Sequence, residues 1–259
     1  MTAAVGKEIE VEDRQRVDSE FGRAAAALVA LRARRPLVAC LTNTVAANFT
    51  ANALLALGAV PAMVDDSGEA SELAARADAV LVNVGTLTEG QATAMRHAIS
   101  ACRAAHVPWV LDPVAADRLE YRGRVVREFM RLSPALVRGN RGEMDWLRAH
   151  CPAAKCVRLS TDAEDVITCG ERTLALRRGT PMLQRVTATG CAQGAIAAAF
   201  CAVADPWTAA VGAALAMALA GERAARRTRR PGSFQIALLD ALDALTASAL
   251  RRAGTEGAR

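Results

Sequence analysis

Short apolar runs alternate with helix-length segments along the first half of this chain, and no other feature limits its fold as strongly. The runs are Leu37–Leu41, Val60–Val64, Ala79–Val82, Trp109–Leu111 and Ala135–Val137. Helical segments lie between them, such as Ala46–Leu57 and Ser67–Arg76. Strands that are short and apolar throughout suit a sheet buried on both faces. We therefore predict an α/β fold of three layers, a mostly parallel sheet with helices on both faces.

The pattern changes in the second half of the chain. Short polar turns join three further runs, Cys156–Ser160, Asp165–Cys169 and Arg172–Leu176, which predict a small antiparallel edge to the sheet. Helices are then predicted to close the chain, over Gly190–Ala204, Trp207–Arg226 and Phe234–Arg252.

No internal repeat and no linker divides the sequence into parts. Residues 1–18 are polar and charged, so we expect a flexible tail there rather than a signal peptide. We expect residues 19–259 to form a single domain. It would begin with a helix over Ser19–Arg35 that Pro36 ends.

Composition excludes several classes of partner. The net charge is +5, but only 3% of the residues are aromatic and no nucleic-acid-binding motif is present, so we expect no nucleic acid partner. The basic clusters Arg32–Arg35 and Arg223–Arg230 are interpreted as helix ends that face solvent. An anionic small molecule is the partner that this charge favours. The longest apolar runs, Ala195–Ala204 and Trp207–Ala220, are too short to span a bilayer, so we expect buried helices and no membrane partner.

The cysteines indicate a reducing compartment. There are seven, an odd number, and they are dispersed without a Cys-x-x-Cys pair. This pattern is typical neither of a disulfide framework nor of a zinc ribbon. We expect a cytoplasmic protein.

The stretch Val186–Gly194 runs from small and hydroxyl-bearing residues directly into an Ala-rich segment, with Cys191 at the junction. The first amides of a helix lack partners inside it and carry partial positive charge, so such a turn can hold a phosphate. The same position lowers the pKa of a cysteine. Two interpretations remain open at this point, an anion site with a reactive thiol or a Thr N-cap that opens an ordinary buried helix.

Polar residues follow several of the predicted strands, where ligands bind to open parallel sheets. Each one alone could be a cap or a turn residue. Arg138 offers a planar fork for phosphate oxygens, and Asp112 and Glu143 are hard oxygen ligands of the kind that hold Mg²⁺. Together with the Thr-Gly-Cys turn, they are the parts that phosphoryl transfer requires. The Gly-x-x-x-x-Gly-Lys-Ser/Thr motif of P-loop enzymes is absent.

Several segments resemble the hydroxyethylthiazole kinase family, in the order in which that family carries them. They are Pro36–Asn43, Asn48–Asn52, Leu54–Ala59, Asn83–Thr88, Leu111–Val114, Arg138–Asn140 with Glu143, Val186–Cys191 and Pro231–Ile236. The resemblance implies the ribokinase-like fold and a kinase of thiamine salvage. Such an enzyme transfers the γ-phosphoryl group of ATP to the hydroxyl of 4-methyl-5-(2-hydroxyethyl)thiazole with Mg²⁺. It also implies a homotrimer with active sites between subunits.

The resemblance also implies roles for individual residues. Cys191 takes the place of the aspartate base of most ribokinase-like enzymes, as a base or as a group that positions the hydroxyl. The remaining assignments fall into three groups, namely Met63, Ala188 and Asn43 for the thiazole substrate, Arg138, Asn140, Gly190 and one of Ser160 and Thr161 for ATP, and Asp112 and Glu143 for the metal.

Two departures from the family pattern keep alternatives open. Ala188 stands where the family has a thiazole-contacting glycine, which matters if the position needs a positive φ or the extra room. The connection over Arg148–Ala154 is shorter than in relatives, which leaves part of the nucleotide side bare. The alternatives are a ribokinase-like kinase for another small alcohol and a non-catalytic ligand-binding relative.

Overall fold

The computed structural model describes residues 19–152 and 156–257, with side chains to residue 253. These ranges contain one sheet of eight strands in the order β2-β1-β3-β4-β5-β6-β7-β8. The first six strands run parallel to one another, and at one edge β7 pairs in antiparallel fashion with both β6 and β8. The strands are β1 (Leu37–Leu41), β2 (Val60–Met63), β3 (Ala79–Asn83), β4 (Trp109–Asp112), β5 (Leu136–Asn140), β6 (Val157–Thr161), β7 (Asp165–Cys169) and β8 (Arg172–Leu176). The mostly parallel sheet and its antiparallel edge are confirmed.

Helices cover both faces of this sheet. They are α1 (residues 19–34), α2 (Ala47–Leu57), α3 (Ser67–Arg76), α4 (Glu89–Ala105), α5 (Glu120–Met130), α6 (Arg141–His150), α7 (Thr189–Cys201), α8 (Pro206–Arg227), α9 (Pro231–Asp243) and α10 (Ala247–Gly257), with a 3₁₀ turn at Pro181–Arg185. One buried apolar cluster packs six helices, α1, α2, α7, α8, α9 and α10, against one face of the sheet. A second cluster packs α3, α4, α5 and α6 against the opposite face. The three predicted layers are therefore present.

The central helix α7 lies against β1, β3, β4 and β5, and its residues from Ala192 to Cys201 are all buried. Small side chains allow this close approach. A Cβ at Gly194 would lie 3.3 Å from Leu81 and 3.4 Å from the carboxylate of Asp112. Because α7 packs so tightly under the middle of the sheet, its first residues lie at the carboxyl ends of the central strands.

The final helix is the clearest correction to the sequence prediction. The single helix expected over Phe234–Arg252 is two helices, α9 and α10, bent by 102° at their junction. Arg32 donates hydrogen bonds to the carbonyls of Leu242 (3.0 Å), Asp243 (2.7 Å) and Leu245 (2.6 Å), which satisfies groups that a continuing helix would use.

The same contacts correct the interpretation of the first basic cluster. The expectation that the whole Arg32–Arg35 cluster faces solvent is wrong at Arg32, which is half-buried against the carbonyls of the α9 end. It is right for Arg34 and Arg35, which are exposed.

The two longest apolar runs form buried helices as predicted, within α7 and α8, except that α7 ends at Cys201, three residues before the end of its run. In the described ranges, no single helix has the length and apolarity needed to cross a membrane. One bent pair, α9 with α10, meets that test only when the two are counted together. The predicted tail over residues 1–18 lies outside the described residues, so the division into a tail and one domain stays a prediction.

Candidate active site

The polar residues predicted at strand ends do converge at one edge of the sheet. Asn83 and Asp112 are the last residues of β3 and β4, and Asn43 follows β1 by two residues. Arg138 lies within β5, and the N-terminus of α7 with Cys191 closes the group. Parallel strands bring their carboxyl ends to the same edge, so residues far apart in sequence become neighbours here.

A chain of hydrogen bonds connects these side chains. The carboxamide of Asn83 donates to Asp112 Oδ2 at 2.7 Å. Asn83 Oδ1 in turn accepts from Asn43 Nδ2 at 3.0 Å, and the same nitrogen donates to Cys191 Sγ at 3.3 Å. Asn43 is buried, with 5% exposure. This residue, which the sequence assigns to the substrate, therefore contacts the candidate catalytic thiol directly through its hydrogen bond. The predicted acceptor and metal residues are thus parts of one network.

Asp112 has the environment expected of a cation ligand. Its side chain is fully buried, and its Oδ1 has no hydrogen-bond partner. Burial raises the pKa of this carboxyl to about 7, against the attraction of the Arg138 guanidinium and with a further rise from Glu143. An unpartnered buried carboxylate oxygen is costly, and a divalent cation with its water shell would remove that cost. The residue therefore fits a Mg²⁺ ligand.

Glu143 is committed to backbone hydrogen bonds in this structure. One carboxylate oxygen accepts from the amide of Ala115 and the other from the amide of Asn140, both at 2.8 Å. Asn140 accepts from the Glu143 amide at 3.0 Å, which completes a capping box at the start of α6. Among the described residues no group of three or more His, Cys, Asp or Glu side chains is placed to hold a metal. Glu143 thus shapes the loop beside Asp112 rather than joining it in a preformed cluster.

The local environment of Cys191 differs from the sequence expectation. We expected the helix N-terminus to lower its pKa, but burial, followed by the nearby Asp112 carboxylate, raises the pKa of this thiol. Hydrogen bonds from Asn43 and Asn83 oppose the rise without reversing it. Burial disfavours the thiolate more strongly than the amide donors favour it. The resting side chain is therefore a thiol that accepts amide hydrogen bonds.

The start of α7 also excludes the Thr N-cap. The N-cap residue is Ala188, which offers no side-chain hydrogen bond. Thr189 turns backwards, and its hydroxyl donates to the carbonyl of Leu183 at 2.8 Å. The first amides of α7 are consequently not capped by a hydroxyl.

Ala188 adopts a left-handed conformation with φ of 69° and ψ of −3°. Such a conformation is strained for any residue with a Cβ and is the usual place of glycine. The position therefore does require a positive φ, which answers the first of the two questions raised by this departure from the family pattern.

Ala188→Gly is expected to raise the free energy of unfolding by about 1 kcal/mol. The relief of strain in the folded state should outweigh the extra conformational entropy that glycine gives to the unfolded chain. Ala26→Gly is the matched control, since Ala26 is exposed within α1 and lacks a positive φ, and it should lower the stability by about 1 kcal/mol instead. Urea denaturation followed by circular dichroism measures both. A loss of stability in Ala188→Gly would contradict the assignment of strain.

Arg138 can lie against the first turn of α7 because Gly190 has no side chain. A Cβ on Gly190 would lie 2.6 Å from Nη1 of Arg138 and 2.9 Å from Nη2, too close for any real contact. The guanidinium also donates to Thr161 Oγ1 at 2.6 Å and to Gln193 Oε1 at 3.3 Å. Three elements, β5, β6 and α7, thus fix the direction of its fork.

A cavity of about 780 Å³ opens beside this arginine. Its lining includes Arg138, Asn140, Thr161 and Gly190, all assigned to ATP from the sequence. Ser160 does not belong to the lining, so the geometry favours Thr161 over its neighbour. The volume lies within the range of small-molecule and cofactor sites, and charged and polar residues make up most of the lining.

Two residues of this cavity were missed by the sequence analysis. Gln193 is buried in α7, bonds Arg138 through its carbonyl and donates to Asp165 Oδ2 at 3.4 Å. Burial raises the pKa of Asp165 to about 6, although Arg138 and Gln193 act in the opposite direction. A polar residue inside an apolar helix was the available signal for Gln193. Asp165 begins an antiparallel strand, where the strand-end rule does not apply.

Met63 and Cys191 lie outside this cavity. Met63 ends β2, the outer strand of the sheet, and is 39% exposed. Two more exposed apolar side chains, Leu55 and Ile236, lie on α2 and α9, and α2 contacts both β2 and α9. The nucleotide-sized cavity and the residues assigned to the thiazole are therefore on different parts of the strand-end edge.

The fold of this chain defines the class of protein to which it is similar. The arrangement is similar to that of a solved ribokinase-like superfamily protein from Enterococcus faecalis, with a TM-score of 0.61 and 13% identity over 82% of this chain and 87% of that one. A likeness at this identity concerns the fold alone. The chain has the ribokinase-like fold.

Closer relatives identify the family. The model of the hydroxyethylthiazole kinase family matches residues 28–154 and 148–248. Relatives named hydroxyethylthiazole kinase from Kineococcus radiotolerans and Salmonella arizonae are each 44% identical, over 88% and 85% of this chain and 91% and 92% of theirs. A solved structure of hydroxyethylthiazole kinase from Pyrococcus horikoshii superposes with a TM-score of 0.85 at 36% identity, covering 88% of this chain and 95% of that one. The chain belongs to the hydroxyethylthiazole kinase family.

Asp165→Asn is expected to stabilise the protein in a pH-dependent way. The folded-state pKa lies above the ordinary value of 3.8, so the wild-type free energy of unfolding falls as pH rises from about 4 to about 6. The variant lacks this loss and should be more stable by about 2 kcal/mol at pH 8, but by little below pH 4. Urea denaturation at the two pH values measures the difference. An equal effect at both would contradict the assignment.

Proposed function

We propose that this chain transfers the γ-phosphoryl group of ATP to the hydroxyl of 4-methyl-5-(2-hydroxyethyl)thiazole, the reaction that its relatives' name describes. One observation carries the proposal for the site. Arg138 lines the nucleotide-sized cavity and also lies against Gly190, the residue next to Cys191, so its fork joins the cavity to the start of α7 that carries the thiol. A phosphoryl group transferred from one side to the other would pass this guanidinium.

The nucleotide side is assigned to the cavity. Arg138 donates to phosphate oxygens with the part of its fork that Thr161 and Gln193 leave free, and Thr161 and Asn140 line the same space. The first amides of α7, from Thr189 to Cys191, supply further donors for the charge that develops on the transferred group. Phosphoryl transfer requires a protein to position the reacting groups and to stabilise the charge on the transferred group.

Asp112 is the proposed ligand of Mg²⁺, supported by its buried and unpartnered Oδ1. When bound there, the ion would neutralise phosphate oxygens that face the carboxylate. Glu143 supports this role by holding the amides of Ala115 and Asn140. Asp112 itself stays oriented by Asn83, whether or not it is ionised.

On the acceptor side, Cys191 is proposed to orient the substrate hydroxyl rather than to act as a strong base. Its thiol is the favoured resting form, and the loose transition state of phosphoryl transfer needs little help from a base. Asn43 holds the sulfur from behind, and Ala188 and Met63 are the proposed contacts of the thiazole ring. The methyl group of Ala188 makes that pocket smaller by one carbon than a glycine would.

Turnover of the purified protein with ATP, Mg²⁺ and the thiazole alcohol tests this proposal directly. Phosphorylated thiazole should form, and Cys191→Ala should lower kcat by about 10- to 100-fold with little change in ATP affinity, because the thiol contacts only the acceptor. Cys169→Ala is the control, since that cysteine is exposed at the far end of β7. Absence of product at millimolar alcohol would contradict the function, and unchanged kcat in Cys191→Ala would contradict the role of the thiol.

We also propose a homotrimer with the acceptor site between subunits, in a reducing cytoplasm that suits seven free cysteines. Exposed Leu55, Met63 and Ile236 on neighbouring elements support an interface near β2, and the residues assigned to the thiazole lie outside the cavity assigned to the nucleotide. Sedimentation equilibrium should give three times the chain mass of 27.2 kDa, and Leu55→Asp should lower it. A monomeric wild type would contradict the trimer.

A further inference from the structure

Asn83 is a fully buried polar residue to which the proposed reaction gives no role beyond the orientation of Asp112. It is the last residue of β3 and has no exposed surface. Three hydrogen bonds use its carboxamide, from the amide of Gly85, from Asn43 and to Asp112. A buried amide that is satisfied so completely has a single orientation.

Backbone donors set the direction of the whole network. The amide of Gly85 donates to Asn83 Oδ1 at 3.0 Å, which turns the Asn83 nitrogen towards Asp112. The amide of Ala46 likewise donates to Asn43 Oδ1 at 2.9 Å, which turns the Asn43 nitrogen towards Asn83 and Cys191. Neither carboxamide can be flipped without placing a backbone N–H against an NH₂ group.

Close packing restricts the same network sterically. A Cβ on Gly85 would lie 2.7 Å from the side-chain nitrogen of Asn43 and 2.9 Å from its Cβ and Cγ. Gly85 does not have a positive φ, so this contact, and not backbone conformation, is what favours glycine there. Asn43 is therefore enclosed between Gly85, Asn83 and Cys191.

We propose that Asn83 is a positioning residue that couples the two ends of the reaction. Through Nδ2 it holds one oxygen of Asp112 and leaves the other free for the phosphate side. Through Oδ1 it holds Asn43, which in turn orients Cys191 for the acceptor hydroxyl. This inference rests on the proposed function, because the coupling affects catalysis only if the chain carries out the proposed phosphoryl transfer.

The network also predicts how substitutions combine. Asn43 bonds Cys191 and Asn83, whereas Asn83 bonds Asp112 and acts on Cys191 both directly and through Asn43. Removing Asn43 from a protein that already lacks Asn83 should therefore lower kcat by less than removing it from the wild type. Two residues with merely structural and separate roles would instead give effects on kcat that multiply.

Steady-state kinetics of Asn83→Ala, Asn43→Ala and the double variant test this coupling. Each single variant should lower kcat by about 10- to 100-fold, the range that misplacing reacting groups produces, with KM for ATP within about twofold of wild type. The combined effect in the double variant should be smaller than the product of the two single effects by at least about threefold. Asn52→Ala, on the exposed side of α2, is the control and should retain wild-type kcat. Multiplying effects, or a rise in KM alone, would overturn the inference.

Asn83→Asp keeps the shape of the side chain and covers the case in which Asn83→Ala fails to fold. It replaces the N–H donor with a carboxylate oxygen facing Asp112, so kcat should fall as far as in Asn83→Ala. Wild-type kcat in a folded Asn83→Asp variant would overturn the proposal.

Alkylation of Cys191 by iodoacetamide, followed by peptide mass spectrometry at one pH, gives a readout that does not require turnover. Asn43→Ala and Asn83→Ala should both slow it by about threefold or more, because the sulfur loses N–H donors, and Asn52→Ala should not. If the wild type shows no turnover but both variants slow alkylation, the proposed function is contradicted and the network is supported. Unchanged alkylation in both variants would overturn the network, whatever the turnover.

Discussion

The contact between Arg138 and Gly190 is the constraint on which the rest of the site depends. A guanidinium from the middle of the sheet can lie at the first turn of α7 only because residue 190 has no side chain. The burial of α7 under β1, β3, β4 and β5 sets the position of that turn, and Thr161 on β6 and Gln193 on α7 itself hold the guanidinium by hydrogen bonds. The cavity, the helix N-terminus and the thiol share an edge as a result.

Electrostatics explain why such an arrangement suits an anionic ligand with a cation. The fully buried Asp112 and the half-buried Asp165 both have a raised pKa because of desolvation, and Arg138 acts on both in the opposite direction. The free protein therefore holds groups whose charged forms are poorly solvated. Bound cation and phosphate would supply the missing partners, so ligand binding and the stability of the folded chain should be coupled.

Much of the fold could be predicted from local sequence, whereas several features depend on contacts that the sequence does not display. Alternating apolar runs located the strands, and the strand-end rule brought Asn43, Asp112 and Arg138 together, because the ligand-binding edge of a parallel sheet follows from its topology. The break after α9 instead results from Arg32, 210 positions from Leu242, and the raised pKa of Cys191 results from burial and from Asp112. The left-handed conformation of Ala188 could be suspected only from a family pattern. Asp165 lies at the start of the antiparallel strand β7, to which the strand-end rule does not apply, so it was not predicted.

Titration of ATP into Gly190→Ala by calorimetry tests the central contact most directly. The new methyl group would occupy the place of the Arg138 fork, so the Kd for ATP should rise by about 10- to 100-fold, as expected when charge-assisted contacts are lost. Gly22→Ala is the control, because a Cβ there meets nothing within 4 Å, and its Kd should equal that of wild type. Wild-type affinity in Gly190→Ala would contradict the account.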